Sequence, residues 1–445
     1  MASQSHRPTL LQRLPDRVAG LLREIGQLGD EWGCRVYVVG GVVRDLLLGH
    51  VTLDLDLTVE GDGVAFARLV ADRYRAGIAV FERFATARLV FPDGLKMDIA
   101  TTRRESYAQP AELPTVQPAS IEEDLYRRDF TINAIALQLN PGQFGRLLDA
   151  YGGQRDLRAR TIRVLHAGSF QDDPTRIFRA VRFEQRLKFR LERKTSRLLA
   201  QAASTNLIQQ LSGPRLQNEI LLLLAERDPV RVMARLSQLR LLRFLHRRLS
   251  YTTKVKRVVM AVPKALAWWT RRFPDREIDK PIVYFMALSS ESSQAVVATM
   301  SKRLALSREQ ARKASAGGTL VDRVLKKLID ERTVRPSQVY RLLVDLPDET
   351  LVLVLAKQMS LQQTAILSRL KRQLVAYMKD RTIKTALMGR DLQSMGLTPG
   401  PQYGTILGKL LDARIDGTIT TEVDERALAC KLLKKGLLSF VKRET

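Results

Sequence analysis

The chain has 445 residues, a formal net charge of +26 and 45% apolar residues, which is too long for one ordinary domain and apolar enough for packed cores. With two cysteines it is not a disulfide scaffold, and no uninterrupted apolar run is long enough to span a bilayer. The excess of Arg and Lys favours a polyanionic partner. Nucleic acid ranks ahead of an anionic membrane surface or a merely solvated basic surface.

Cysteine usage bears on the cellular compartment. Cys34 and Cys430 lie far apart in the sequence and show no metal-ligand spacing, which suits a reducing setting. The N-terminal segment lacks the apolar region of a signal peptide, and an Arg-bearing organellar transit peptide stays open as an alternative. We therefore expect a cytoplasmic protein without a membrane partner.

The first 150 residues alternate between helical and strand patterns. In chain order the predicted elements are an amphipathic helix (9–30), a strand ending in two glycines (34–41), a short helix (42–49), a strand (51–59), a helix (63–75), a hairpin (85–101), a Pro-rich loop (106–120), and a helix and strand ending at Leu139. From about residue 170 the pattern is mostly helical, with boundaries near 225 and, less sharply, near 274–281 and near 345. These patterns predict one α/β domain followed by helical domains.

The stretch VVGGVVRD (38–45) predicts a strand, a Gly-Gly turn and the start of a helix. Gly40 and Gly41 let the backbone approach phosphate oxygens closely, and Arg44 adds a guanidinium fork for them. Structural turns also contain Gly-Gly, and the GK[ST] of a P-loop is absent from this stretch. Alone, the motif is a weak indication of a phosphate site.

Two aspartates interrupt the strand-like stretch VTLDLDL (51–57). Asp54 and Asp56 are two apart, so in a strand both point to the same face. Paired carboxylates favour a bound Mg²⁺ whose coordination shell is completed by phosphates, although an exposed edge strand is the alternative. Asp98 lies in another predicted strand and is a candidate third carboxylate, or simply an edge aspartate.

Two further stretches carry candidate nucleotide-binding residues. In DLYRRDFTINAIA (124–136), Arg127, Arg128 and Asn133 could contact a triphosphate and a ribose, or could be surface arginines at a helix start. Around Pro174, which suits the first turn of a predicted helix, four charged residues recur every three positions and share roughly one helical face. They are Asp173, Arg176, Arg179 and Arg182. This face fits a nucleoside triphosphate, while a solvated salt-bridged face is the alternative.

Taken in order, GGVVRDLLLG, LDLDL, RRDFTINAIA and DDPTRIFRAVRF resemble the class II tRNA nucleotidyltransferases and bacterial poly(A) polymerases. These families belong to the polymerase-β-like nucleotidyltransferase superfamily. The resemblance is specific over about residues 36–220, weakens through the middle, and returns at 388–417.

The resemblance implies a fold and an activity. The fold is an α/β nucleotidyltransferase (polymerase-β-like) head at 1–150, followed by an all-α neck (151–225), body (226–345) and tRNA-binding tail (346–445). The activity is template-independent addition of C and/or A to the tRNA 3′ end from CTP and ATP, with release of pyrophosphate. The partners would be the tRNA acceptor end, CTP and ATP.

The resemblance also implies roles for individual residues. Asp54 and Asp56 would hold Mg²⁺, and the triphosphate would lie on the Gly-Gly turn, Arg44 and an arginine of the 127–128 pair. Asp173 and Arg176 would read the base, because cytosine and adenine each present an amine donor beside a ring-nitrogen acceptor. Arg179 and Arg182 would lie beside the nucleotide.

Three alternatives stay open. The chain could add only CC or only A. The loop at 105–120 lies where the family's flexible loop helps to admit A, which favours use of ATP. It could be a poly(A) polymerase, which shares the head motifs. From a different class, it could be a catalytically inactive RNA-binding protein, against which the intact candidate residues argue.

Overall fold

The computed structural model describes residues 10–330 and 334–441, which divide into two compact units at 1–244 and 245–445. The strands are β1 Arg35–Val39, β2 Leu55–Glu60, β3 Gly77–Phe81, β4 Thr86–Val90, β5 Lys96–Thr101, β6 Arg103–Ser106, β7 Thr115–Pro118, β8 Ala136–Gln138, β9 Leu147–Leu148, β10 Thr161–Ile162 and β11 Arg190–Leu191. The helices of the first unit are α1 Asp16–Glu31, α2 Gly41–Leu47, α3 Gly63–Tyr74, α4 Ile121–Tyr126, α5 Gly153–Arg158, α6 Ser169–Asp172, α7 Thr175–Leu187, α8 Arg193–Ser204, α9 Leu207–Gln210, α10 Gly213–Ala225 and α11 Pro229–Gln238.

A seven-stranded mixed sheet organises the first unit, in the order β3-β4-β5-β2-β1-β8-β9. The β2–β5 pair is parallel, and the other neighbours are antiparallel. Side chains alternate between the two faces of a sheet. In β4 and β5 the residues of one face, such as Leu89 and Ile99, are fully buried, and α3 packs against these strands. The other face carries Asp56 and Asp98, which are Cα partners across β2 and β5.

The second unit is helical throughout its described part. Its helices are α12 Thr253–Arg272, α13 Lys280–Leu288, α14 Gln294–Arg303, α15 Arg308–Ser315, α16 Thr319–Asp330, α17 Pro336–Leu343, α18 Asp348–Ser360, α19 Thr364–Asp380, α20 Gly389–Ser394, α21 Gln402–Ile415 and α22 Glu422–Val441. Helix α18 is buried nearly all round, from Glu349 to Ala356, and packs against α12, α13 and α19. Within the described residues, no helix is long and apolar enough to cross a membrane.

The predicted α/β head followed by helical domains is confirmed, with local corrections. The strand predicted from Val51 begins at Leu55, so Asp54 precedes the strand and Asp56 lies inside it. The predicted loop at 106–120 contains β7, which pairs with β6. The helix predicted around Asn133 is a single 3-10 turn, Thr131–Asn133. The division into head, neck, body and tail stays a prediction.

Candidate active site

The paired carboxylates sit at the start of β2. Asp56 is on the sheet face opposite α3, and Asp54 is exposed just before the strand. Burial, together with the negative charge of Asp54, raises the pKa of Asp56 to about 6. A buried carboxylate beside a second one favours a neighbouring cation, because like charges this close oppose joint ionisation.

The Gly-Gly turn lies beside this pair. Gly40 has φ +74°, a conformation that favours glycine, and a Cβ built there would lie 3.0 Å from Nη1 of Arg128 and 3.9 Å from Oδ2 of Asp56. The turn, Arg128 and the carboxylate therefore border one space. Only a residue without a side chain keeps that space open.

Buried ion pairs fix the two arginines that follow α4. Asp124 is fully buried and accepts hydrogen bonds from Arg127 Nη2 at 2.7 Å and Arg128 Nη2 at 2.9 Å. Burial raises the pKa of Asp124, but the two guanidiniums outweigh burial and lower the pKa overall. Arg127 also donates to Oε1 of Glu105 at 2.8 Å. Both guanidiniums are thus held in place before any ligand binds.

A second chain of bonds joins α2 to α7 through the buried Asp129. Arg44 Nη1 donates to Oδ1 of Asn133 at 2.7 Å, and Asn133 Nδ2 donates to Oδ1 of Asp129 at 2.9 Å. Asp129 also accepts from Arg179 Nε at 2.8 Å. The Phe183 ring lies beneath the guanidiniums of Arg44 and Arg179, at 5.1 and 5.5 Å from its centroid. Asn133 therefore positions Arg44 as well as facing the cavity.

Asp173 and Arg176 do not lie together on the face of one helix as predicted. Asp173 precedes α7 in extended backbone, and its Oδ1 accepts from Thr175 and from Arg215 Nη2 at 2.8 Å. Arg176 instead donates to Ser169 Oγ and to the carbonyl of Arg127, both at 2.7 Å. The two residues are held separately, yet they face the same cavity.

One cavity of about 500 Å³ collects most of the predicted site. The predicted residues that line it are Gly40, Gly41, Arg44, Asp54, Asp56, Arg127, Arg128, Asn133, Asp173, Arg176 and Arg179. Two predicted residues do not line it. Asp98 is bound by Arg88 through two hydrogen bonds of 2.7 Å, and Arg182 is buried with its Nη2 3.9 Å from Glu219. Their roles stay predictions.

Five further residues line the cavity without having been predicted as site residues: Glu105, Tyr107, Asp129, Phe183 and Arg186. Phe183 and Arg186 follow Arg179 at helical spacings of four and seven, so the face already identified could have revealed them. Glu105 and Tyr107 reach the cavity through the β6–β7 hairpin, which local sequence did not predict.

Within residues 10–330 and 334–441, no group of three or more His, Cys, Asp or Glu side chains is placed to hold a metal ion. The carboxylates that line the cavity next to the Gly-Gly turn are Asp54 and Asp56, and their role as metal ligands stays a prediction. Such a pair fits a hard cation only when other oxygens, such as those of a substrate phosphate, complete its shell.

Two family models match parts of this chain. Residues 36–163 match the family model of the poly(A) polymerase head domain, and residues 188–252 match that of a probable RNA- and SrmB-binding site of polymerase A. An A-adding tRNA nucleotidyltransferase of Geobacter sulfurreducens is 41% identical over 95% of this chain, and the chain spans 48% of that relative's length.

Two solved structures are similar over nearly the whole chain. An apo CCA-adding enzyme is 35% identical with a TM-score of 0.79, covering 96% of this chain and 97% of the other. A CCA-adding enzyme of Thermotoga maritima complexed with tRNA is 34% identical with a TM-score of 0.74, covering 95% and 97%.

Proposed function

The chain belongs to the tRNA nucleotidyltransferase and poly(A) polymerase family, and on that premise we propose that it adds C and/or A to the 3′ end of tRNA in the cytoplasm. The reaction joins the terminal 3′-oxygen of the RNA to the α-phosphate of CTP or ATP and breaks the bond to pyrophosphate. The supporting observation is that one cavity brings together the carboxylate pair, the Gly-Gly turn and the Asp173–Arg176 set.

Family members generally use divalent metal ions, and we propose Mg²⁺ at Asp54 and Asp56. The raised pKa of Asp56, caused by burial and by Asp54, is the feature of this site that a cation would relieve. When bound, Mg²⁺ would make the terminal hydroxyl of the RNA more acidic and offset charge on the phosphates. Binding of the hard cation by two carboxylates plus phosphate oxygens is the usual arrangement.

The arginines beside the turn would receive the triphosphate. Arg128 borders both the Gly40 backbone and Asp56, and Arg44 lines the same cavity. Because both guanidiniums are already fixed by internal hydrogen bonds, little reorganisation is needed when charge develops on the leaving pyrophosphate.

The base would lie between Asp173 and Arg176. Oδ1 of Asp173 is engaged by Thr175 and Arg215, so we assign Oδ2 as the acceptor for the exocyclic amine of cytosine or adenine. A remaining guanidinium N–H of Arg176 would donate to the ring nitrogen. Uracil and guanine would present a carbonyl and an N–H there instead, leaving buried polar groups mispaired.

The test uses purified protein, Mg²⁺ and three tRNA transcripts, ending before CCA, after C and after CC. Each is offered CTP, ATP or both, and products are resolved at single-nucleotide length. Extension of all three to CCA supports one complete enzyme. Extension only to CC, or only from CC to CCA, identifies a specialised one. Long A-tails would indicate a poly(A) polymerase, and no incorporation would favour a non-catalytic RNA-binding protein.

Specialisation for A addition is the second candidate. The A-adding relative of Geobacter sulfurreducens matches 95% of this chain at 41% identity, which favours this outcome among the partial activities. An A-adding enzyme would extend only the transcript that ends in CC, and ATP would be the only nucleotide it needs.

A further inference from the structure

The sheet face that carries Asp56 continues from β2 through β5 and β4 to the edge strand β3. Asp98 of β5 is the partner of Asp56, Arg88 of β4 is the partner of Asp98, and Ala79 of β3 is the partner of Arg88. Flanking rows on the same face add exposed side chains. We call the set Ala79, Phe81, Arg88, Val90 and Lys96 the outer face.

The two halves of this sheet face differ in what covers them. On the β1 side, Tyr37 and Val39 are buried against Ile121 and Leu125 of α4. On the β3–β4 side, Phe81 is 50% exposed and Val90 is 41% exposed. The outer face is therefore an open surface that begins one strand away from the candidate metal ligands.

Reaction geometry decides which substrate approaches from that side. In an in-line displacement the attacking oxygen and the leaving group lie on opposite sides of the phosphorus. The proposed cradle for the leaving phosphates, Gly40 and Arg128, lies on the β1 side of Asp56. The attacking 3′-hydroxyl must then come from the β5–β4–β3 side.

The chemistry of the outer face suits an RNA strand. Lys96 is an exposed cation for a backbone phosphate, and Phe81 offers an aromatic ring for stacking on a base. The two Arg88–Asp98 hydrogen bonds hold the guanidinium on this face and offset the charge of Asp98, which would otherwise repel phosphates. With about 4.8 Å between strands, β4 and β3 lie about 10 and 14 Å from β2.

From these observations we propose that the outer face binds the last nucleotides of the RNA substrate, with Lys96 on a phosphate and Phe81 against a base. This inference rests on the proposed function, since it assumes that RNA is extended at Asp54 and Asp56. It places part of RNA binding on a surface outside the nucleotide cavity.

The chain supplies a matched pair of positions for the test. Phe81 and Ile78 are both exposed on β3, but Ile78 pairs with Leu89 and so lies on the opposite face. A photoreactive p-benzoylphenylalanine placed at 81 or at 78 is irradiated with the tRNA transcript ending in CC. We expect a crosslink from position 81 that maps to the last three nucleotides, and none from position 78. Equal crosslinking from both, or a crosslink elsewhere in the tRNA, would overturn the proposal.

Kinetics give an independent readout. Phe81→Ala combined with Lys96→Ala should raise KM for tRNA about tenfold or more, while KM for ATP or CTP stays within about twofold. The control, Ile78→Ala with Arg73→Ala on α3, should leave both constants unchanged. An unchanged KM for tRNA in the Phe81→Ala, Lys96→Ala variant would reject an RNA site on the outer face. A change in the oligomeric state of this variant without a change in KM would also reject it. A wild-type protein that incorporates no nucleotide would refute the proposed function instead, and the crosslink would still decide the outer face.

Discussion

The sheet face that carries Asp56 differs on the two sides of strand β2. On the β1 side, polar and charged groups are mostly buried and joined by hydrogen bonds, as in the series Arg44, Asn133, Asp129 and Arg179. On the β4 side the face is open, and an exposed Arg88–Asp98 pair is its main ionic contact.

The difference shows how rigidity is distributed around the carboxylates. A small ligand that must be chosen by its hydrogen-bonding groups needs donors and acceptors that are fixed before it arrives. A long, flexible polymer is better held by exposed cations and a ring, which tolerate different sequences. Variants on either side should show this contrast, and variants of the carboxylates that the two sides share should show the largest effect.

The largest effect is expected from Asp54→Ala. Removing this carboxylate should lower nucleotide incorporation at least about 1,000-fold while tRNA binding stays within about twofold, since Asp54 is a proposed metal ligand in the nucleotide cavity and lies outside the outer face. Extension assays and filter binding measure the two quantities. The control is Asp72→Ala, an exposed position on α3, and retention of full activity by Asp54→Ala would show that the metal assignment is wrong.

Asp129→Asn tests the hydrogen-bonded groups on the β1 side of β2. The substitution keeps the shape but removes the charge that opposes Arg179, whose Nη2 lies 2.6 Å from Asp129. We expect the free energy of unfolding to fall by about 2–3 kcal/mol. This loss is smaller than the loss expected for a fully buried ion pair, because Arg179 is partly exposed. Nucleotide use should fall about 100-fold, since Arg44 and Arg179 lose their common anchor. Urea unfolding that matches the wild type would show that Asp129 does not anchor this side.

Arg176→Ala should lower the selectivity among nucleotides more than it weakens binding of the nucleoside triphosphate. The ratio of kcat/KM for ATP or CTP to that for UTP or GTP should fall about 10- to 100-fold, because one of the two groups that read the base is lost. Arg182→Ala serves as the comparison, since Arg182 lies outside the cavity and pairs with Glu219. Equal loss of selectivity in both variants would place Arg182 in base reading as well.

The smallest expected effect concerns stability. The native pKa of Asp56, about 6, lies above its value near 3.9 in an unfolded chain, so the folded state binds the proton more tightly. The free energy of unfolding should therefore rise as pH falls from 7 towards 4, and Asp56→Asn should remove this rise and add about 1–2 kcal/mol at pH 7. Mg²⁺ should stabilise the wild type at pH 7 but not this variant. If the free energy of unfolding depended on pH in the same way in both proteins, the raised pKa of Asp56 would be contradicted.

The sequence predicted the chemistry of the site better than its exact geometry. The spacing of Asp54 and Asp56, the Gly40–Gly41 turn and the arginines after α4 are local patterns, and the structure gathers them in one cavity. The strand predicted from Val51 starts later, at Leu55, so only Asp56 of the pair is fixed by sheet pairing.

Residues positioned by distant contacts could not be predicted in the same way. Tyr107 was assigned to a loop because its neighbours are rich in proline, yet β6 and β7 pair and bring it to the cavity. Asp173 was placed on the α7 face by spacing, but it ends α6 and is bound by Arg215, 42 residues away. Local periodicity carries no information about such partners.

We propose that Asp54 and Asp56 stand between a fixed nucleotide site and an incoming RNA end. The most direct test is single-turnover addition of labelled ATP to tRNA ending in CC, by wild-type and Asp56→Asn proteins saturated with both substrates and Mg²⁺. We predict one added nucleotide in the wild type and a rate at least about 1,000-fold lower in the variant, with both substrates still bound. Comparable rates in the two proteins would contradict the account.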